Sequence, residues 1–220
     1  LMAQRWTGRD ATDEPVLPKA NVPALAVLPF VNVGDDDDEY FSDGLTEELI
    51  NALSRVKGLR IVSRTSTFAY KDQREDVRDI GRDLGVQTLL EGSVRKSGDE
   101  LRISARLVDA DNGTQLWGDT YEGRFEDVFA LQDSITSAIV IELLPKLKER
   151  GALKQAAIEP PTDDLEAYEL YLRGIAQLRK RDEDPIVRSI RLFRQAIERD
   201  PAFAAAHVQL AAAYALLPYY

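Results

Sequence analysis

Apolar residues fall along the chain in two rhythms, and the switch between them marks its parts. The run "ALAVLPF" from Ala24 is apolar throughout and too short for a helix, so it predicts a strand buried on both faces. Leu45, Leu49, Ile50, Leu53 and Val56 then recur at helical spacing, with Ser42 or Asp43 placed to cap the first turn and Gly58 to end the helix. "LRIVSRTST" from Leu59 is rich in β-branched residues and reads as a second strand. Val77, Ile80 and Leu84 share one face of a short helix that stops at Gly85. Strand, helix, strand, helix is the order of parallel crossover units.

The rhythm then shortens to two. Leu101, Ile103, Ala105 and Leu107 alternate with Arg102, Ser104 and Arg106, which gives a strand one dry face and one wet face. Turn signals at Ser97-Gly98-Asp99 and Asn112-Gly113 bracket it, so three antiparallel strands form a meander. A long helix is expected from about Phe125 to Arg150, with a stripe of Val128, Leu131, Ile135, Ile139 and Leu143, and with Pro145 as a kink or end. The predicted fold class is therefore α/β: a mixed sheet of two crossover units plus a meander, closed by a long helix and followed by an all-α region. Residues 1–22 read as a linker, 23–150 as the α/β domain, 151–163 with Pro160-Pro161 as a second linker, and 164–220 as the helical part.

In that helical part Phe193, Ala196 and Pro201 fall at the spacing of the second helix of a tetratricopeptide repeat. Gly174 lies in the opening helix of the same repeat, and Leu210, Ala211 and Tyr214 fit the opening helix of the next. The turn "RDEDP" absorbs extra residues between the two openings, and His207 stands where such repeats often carry Trp. A repeat of this kind needs neighbours to bury its face, so further repeats are expected beyond Tyr220. A plain helical hairpin is the alternative.

Composition narrows the function. Of 220 residues 44% are hydrophobic, enough for a packed core. The net charge of −10 argues against nucleic acid or an anionic membrane as the partner of this segment. No cysteine is present, which excludes disulfides and thiolate zinc sites. No apolar run reaches the roughly 20 residues of a membrane span. The chain opens on Leu1, and we read it as a fragment of a longer protein.

Candidate chemistry is sparse. "VNVGDDDDEYFSDGLTEELINALSRV" from Val31 invites a metal reading. A calcium loop needs oxygen ligands at positions one, three and five, Gly at six and Glu at twelve. With Gly44 sixth, Phe41 falls third and Ile50 twelfth, so the pattern fails and the run reads as a solvated loop before a helix. His207 is the single histidine and is read as a helix-packing residue, not a catalytic base. No phosphate-binding Gly-Lys-Ser/Thr loop occurs. We therefore assign no catalytic, cofactor-binding or metal residues. Trp117 and Tyr121 share one face of the third meander strand, with Asp119 between them, and core packing is their expected role. Arg95, Lys96, Arg102 and Arg106 are expected to gather on the wet face of the meander and to balance local charge, with an acidic partner as the alternative.

The stretches "AVLPFVNVGDDDDEYFSDGLTEELINALSRVKGLRIVSRTSTFAYK", "DIGRDLGVQTLLEGSVRKSGDELRISARLVDADNGTQLWGDTYEG" and "EDVFALQDSI" resemble the TolB-like amino-terminal module of bacterial multidomain proteins, over about residues 24 to 150. Tetratricopeptide repeats usually follow that module. The resemblance implies an output domain on the amino-terminal side, either a class III adenylate cyclase or a winged-helix DNA-binding domain, often with a membrane span between. It implies a sensory or regulatory segment with no catalytic residues, on the periplasmic side of an inner-membrane protein, with a cytoplasmic location as the alternative. It also implies a protein or peptide partner at the repeats and an influence on homodimer geometry. The alternative is a small-molecule receptor or enzyme built on the α/β domain, with its ligand near Asn32 to Ser42 and Ser63 to Phe68, at the carboxyl ends of the parallel strands. A free-standing periplasmic adaptor is a third reading.

Overall fold

A computed structural model describes residues 22–143 and 162–220. The strands are β1 (Ala24–Val27), β2 (Val31–Asn32), β3 (Arg60–Ile61), β4 (Thr88–Ser97), β5 (Glu100–Asp109) and β6 (Gln115–Arg124). The helices are α1 (Glu39–Ser54), α2 (Arg64–Thr67), α3 (Val77–Leu84), α4 (Val128–Leu143), α5 (Leu165–Leu178), α6 (Glu183–Arg199) and α7 (Ala204–Leu216). The sheet runs β3-β1-β4-β5-β6, with β2 also on β4. β1 is parallel to β3 and β4, and β4, β5 and β6 are antiparallel. The α/β class, the crossovers, the meander and the helical region are all present.

β1 is buried at every residue. Leu25 and Val27 face a large core with α1 and α4, while Ala24 and Ala26 face a smaller one with Ile80 of α3. Leu101, Ile103, Ala105 and Leu107 enter the large core, as their alternation predicts. Gly98 and Gly113 hold the left-handed backbone of the two meander turns, with φ of 58° and 73°.

Several expectations are corrected. The chain leaving β1 stays on β4: Leu28 N–H donates to Leu90 O (2.9 Å), and Val31–Asn32 form β2 in place of a free loop. Buried Phe30 lies over Gly92, where any Cβ would collide with its ring. The second strand is only two residues long, because Ser63 O accepts from Ser66 and Thr67 N–H and starts a helical turn. Helix α1 begins at Glu39, after a 3-10 turn at Asp36–Asp38, so Ser42, Asp43 and Gly44 lie inside it and cap nothing. The closing helix starts with a 3-10 turn at Phe125–Asp127 and is described to Leu143, so Pro145 lies outside the described residues, as do linker positions 1–21 and 151–161.

Candidate functional site

The junction of α1 with α5 is where the two parts of the chain meet. Helix α5 starts at an Asp164 cap, whose carboxylate accepts from Ala167 N–H (2.8 Å). It carries two apolar faces. Ile175 and Leu178 join Phe193 of α6 in a core of the helical part, whereas Ala167, Tyr168 and Leu172 join the core of the sheet. Gly44 lets α1 and α5 approach, since a Cβ there would lie 2.6 Å from Leu172 Cδ2. Tyr168 is fully buried, with its ring 4.9 Å from that of Phe129. Its hydroxyl accepts from Gln132 Nε2 at 3.4 Å, and burial raises its pKa.

Charges ring this apolar crossing. Tyr40 donates to Glu169 Oε1 (2.5 Å), Arg173 Nη2 pairs with the same oxygen (2.8 Å), and Lys96 Nζ lies 3.6 Å from it. Lys96 also pairs with Asp38 (3.2 Å). Desolvation pushes the Glu169 carboxyl up, but Tyr40, Lys96 and Arg173 together outweigh it and hold the group below its ordinary value. Glu47 pairs with Arg179, the C-cap of α5, and, at 3.5 Å, with Arg64 of α2. Beside Glu47, burial pushes half-buried Glu48 up to about 7, with Glu47 adding and Arg55 opposing.

The acidic run is thus used in ion pairs and as a wall. Lys71 bridges Glu39 (2.5 Å) and Asp43 (2.6 Å). A cleft of about 620 Å³ lies between this run and the helical part, lined by Asp36, Asp37 and Tyr40 on one side and Arg173, Lys180 and Leu192 on the other. Among the described residues no group of three or more His, Asp or Glu is arranged to hold a metal.

Of the two loops proposed for a ligand, the first contributes Asp36, Asp37, Glu39 and Tyr40 to the cleft, while Ser63 to Phe68 do not border it. In the second loop Ser63 Oγ bonds Ser66 Oγ (3.1 Å), and Arg64 stacks on Phe68 at 3.5 Å. The four cations separate. Arg95, Arg102 and Arg106 lie on the open face of the meander, but Lys96 points to the helix-covered face, because it is two residues from Val94 in a strand of period two. Trp117 and Tyr121 pack against the large core, the expected role. His207 is exposed, with Nε2 3.0 Å from Pro201 O, and does not pack between helices. Sequence reasoning missed Glu169, Arg173 and Arg179. The available signal was the apolar width of α5, with Tyr168 and Leu172 on one side and Tyr171, Ile175 and Leu178 on another, too broad for a single neighbour.

With this geometry in hand, comparison with known proteins identifies the α/β part. The family described as "HilA/YgeH-like transcriptional regulator, second domain" matches residues 20–138, more than half of the chain. The chain belongs to this family. The matched region holds the whole sheet, α1 to α3 and most of α4. A protein of Rhizobium meliloti (strain 1021) named "Putative adenylate cyclase 3" is 38% identical over 216 residues, 93% of this chain. The chain spans 36% of that relative's length. Among solved structures, TolB from Acinetobacter baumannii matches 56% of this chain and 29% of its own, at 16% identity and a TM-score of 0.43. The LpoB C-terminal domain from Escherichia coli matches 46% of this chain and 82% of its own, at 19% identity and a TM-score of 0.37. Among the described residues no helix is long and apolar enough to cross a membrane.

Proposed function

We propose that this segment is a non-catalytic sensory and scaffolding region of a bacterial signalling protein, and that it controls an attached output domain. Membership of a regulator family and the likeness to a protein named as an adenylate cyclase support a regulatory role. The observation that carries the reading is the shared core at the junction. Tyr168 and Leu172 of the helical part are buried in the core that packs the sheet. A protein or peptide held by α5 to α7, read as the start of a tetratricopeptide solenoid, would load that core directly and bias the α/β domain. The output, cyclase or winged-helix, lies on the amino-terminal side of a membrane anchor in this reading, with the segment in the periplasm.

The test uses the parent protein in its host, with cyclic AMP formation and reporter transcription both measured. Substituting Glu169→Gln and Arg179→Gln loosens the rim without touching the apolar crossing. A changed output at unchanged protein level supports control through the junction. Unchanged cyclic AMP and unchanged transcription overturn it.

The cleft beside Asp36 and Lys180 favours a second reading, a small-molecule receptor. A metabolite that raises Tm by several degrees in wild type, but not in Arg173→Ala, would support it. A null screen combined with rim-dependent output would leave the scaffold reading standing.

A further inference from the structure

Strands β4 to β6 also present a second face, on which Leu89 packs against Ile80 of α3 and beyond which no described helix lies. The register lays three rows across it. Glu91, Arg106 and Gly118 form one, Val31, Ser93, Ser104 and Thr120 the next, and Arg95, Arg102 and Glu122 the third. The middle row is small, and Ser104 Oγ bonds Thr120 Oγ1 at 3.1 Å. The result is a groove of about 640 Å³, lined by Val31, Val33, Ser93, Ser104, Arg106 and Thr120. Glu91 and Arg95 are four residues apart on one strand, so its charged rims stand about 13 Å apart. The row from Val31 to Thr120 crosses three strand gaps, about 14 Å. Those dimensions match a helix of 10–12 Å diameter laid across the strands.

The charge selects the partner. The three rows carry three arginines and two glutamates, +1 in a chain of −10, with Asp119 also bordering the groove. Arg95 stands directly opposite Arg102 across the strands, an arrangement that is unfavourable by itself. Glu122 pairs with Arg102 (3.1 Å), and among the described residues Arg95 has no ion-pair partner. The Arg102–Glu122 pair is exposed at both ends and holds weakly, and Arg106 is exposed beside half-buried Glu91, so both arginines can turn to a new carboxylate. Val31 is 61% and Val33 45% exposed, which adds an apolar anchor at one end of the groove. We propose that this face docks an acidic amphipathic helix of another protein, with its carboxylates on Arg95, Arg102 and Arg106 and its apolar side on Val31 and Val33. The site is separate from the junction and does not depend on the function proposed above.

The probe is a fluorescein-labelled amphipathic helical peptide of leucine, alanine and glutamate, with the glutamates changed to lysine in its control. It is titrated into the 220-residue chain by anisotropy, and amide shifts locate it. The acidic peptide is expected to bind and the lysine peptide is not. Arg95→Glu with Arg102→Glu should weaken binding by about tenfold or more, roughly 1.4 kcal/mol. Ser104→Arg, which fills the floor, should abolish it, and Arg82→Glu on exposed α3 should leave it unchanged. Circular dichroism and Tm establish that each variant is folded, and a variant that fails is replaced by Thr120→Arg. Absence of binding, equal binding of the lysine peptide, equal loss in Arg82→Glu, or shifts confined to the cleft near Lys180 overturns the proposal. So does a dimer in sedimentation that Ser104→Arg dissociates, because the face would then belong to a second copy.

Discussion

Strands β4 to β6 have two faces built from alternate residues of the same three segments, and the two have opposite fates. On one face Leu90, Val94, Leu101, Ile103 and Leu107 are buried under α1 and α4, and the helical part adds Tyr168 and Leu172 to the same core. On the other, Ser93, Ser104 and Thr120 lie between charged rows and carry no cover among the described residues. The sealed face draws its energy from area removed from water and is intolerant of changed volume. The open face has small side chains and exchangeable ion pairs, so substitutions there should alter recognition and leave stability nearly unchanged.

The largest contrast is expected from Tyr168→Ala. It removes a fully buried ring that touches Phe129 and joins the helical part to the sheet. We expect a loss of about 3–5 kcal/mol, the range for emptying a buried aromatic site. Urea unfolding measures it, and a loss below about 1 kcal/mol would mean that α5 is not seated in the shared core.

Gly44→Leu attacks the same crossing from the α1 side. Leucine favours a helix interior over glycine, so an isolated α1 would gain up to about 1 kcal/mol. Here the new side chain meets Leu172, whose Cδ2 is already 2.6 Å from an ideal Cβ. Overpacking should win, with a net loss of about 2 kcal/mol and faster amide exchange in α5. A stabilised variant would show that the helices do not cross at Gly44.

Glu48→Gln turns the comparison into a pH dependence. Burial, with Glu47 adding, raises the Glu48 pKa from 4.5 in the open chain to about 7. Tyr168 and Tyr171 face it from α5, and their own pKa values are raised by burial first and by Glu48 second. A carboxyl raised on folding favours the folded state fully below about pH 4.5 and loses that contribution as pH climbs through 7. The glutamine variant should therefore match wild type near pH 4.5 and exceed it by about 2 kcal/mol at pH 8. Equal stabilities at both pH values would place Glu48 in water.

These residues also show what the sequence reveals. The period-two alternation of β5 sorted Leu101 to Leu107 from Arg102 to Arg106 correctly, because one strand in contact with one core leaves a local record. The unbroken run at β1 likewise announced a strand between two cores. The junction left a fainter trace. Tyr40 and Glu169 are separated by 129 residues, and a glutamate on an amphipathic helix looks solvated until its partner is known. Gly44 in Ser-Asp-Gly imitates a turn, and only the approach of Leu172 explains it inside α1. The acidic run misled in a similar way, since Asp38, Glu39 and Asp43 find lysines from β4 and from beyond α2 that no local pattern announces.

The smallest effect is also the sharpest divider, because it compares neighbours. Arg95 and Lys96 are consecutive cations on β4 that point to opposite faces. Lys96 is only 14% exposed, pairs with Asp38 and Glu169, and lies 5.3 Å from the centre of the Phe125 ring. Its pKa is raised: burial opposes the charge, but Tyr40, Asp38 and Glu169 outweigh it. Lys96→Met keeps the length and removes the charge from two half-buried carboxylates, for an expected loss of about 1–2 kcal/mol. Arg95→Met faces water beside Arg102 and should stay within about 0.5 kcal/mol of wild type. If it stabilises slightly, relief of the like-charge pair is the reason. Equal losses for the two would mean that the strand does not present alternate residues to alternate faces, and the distinction between a sealed and an open side would fall with it.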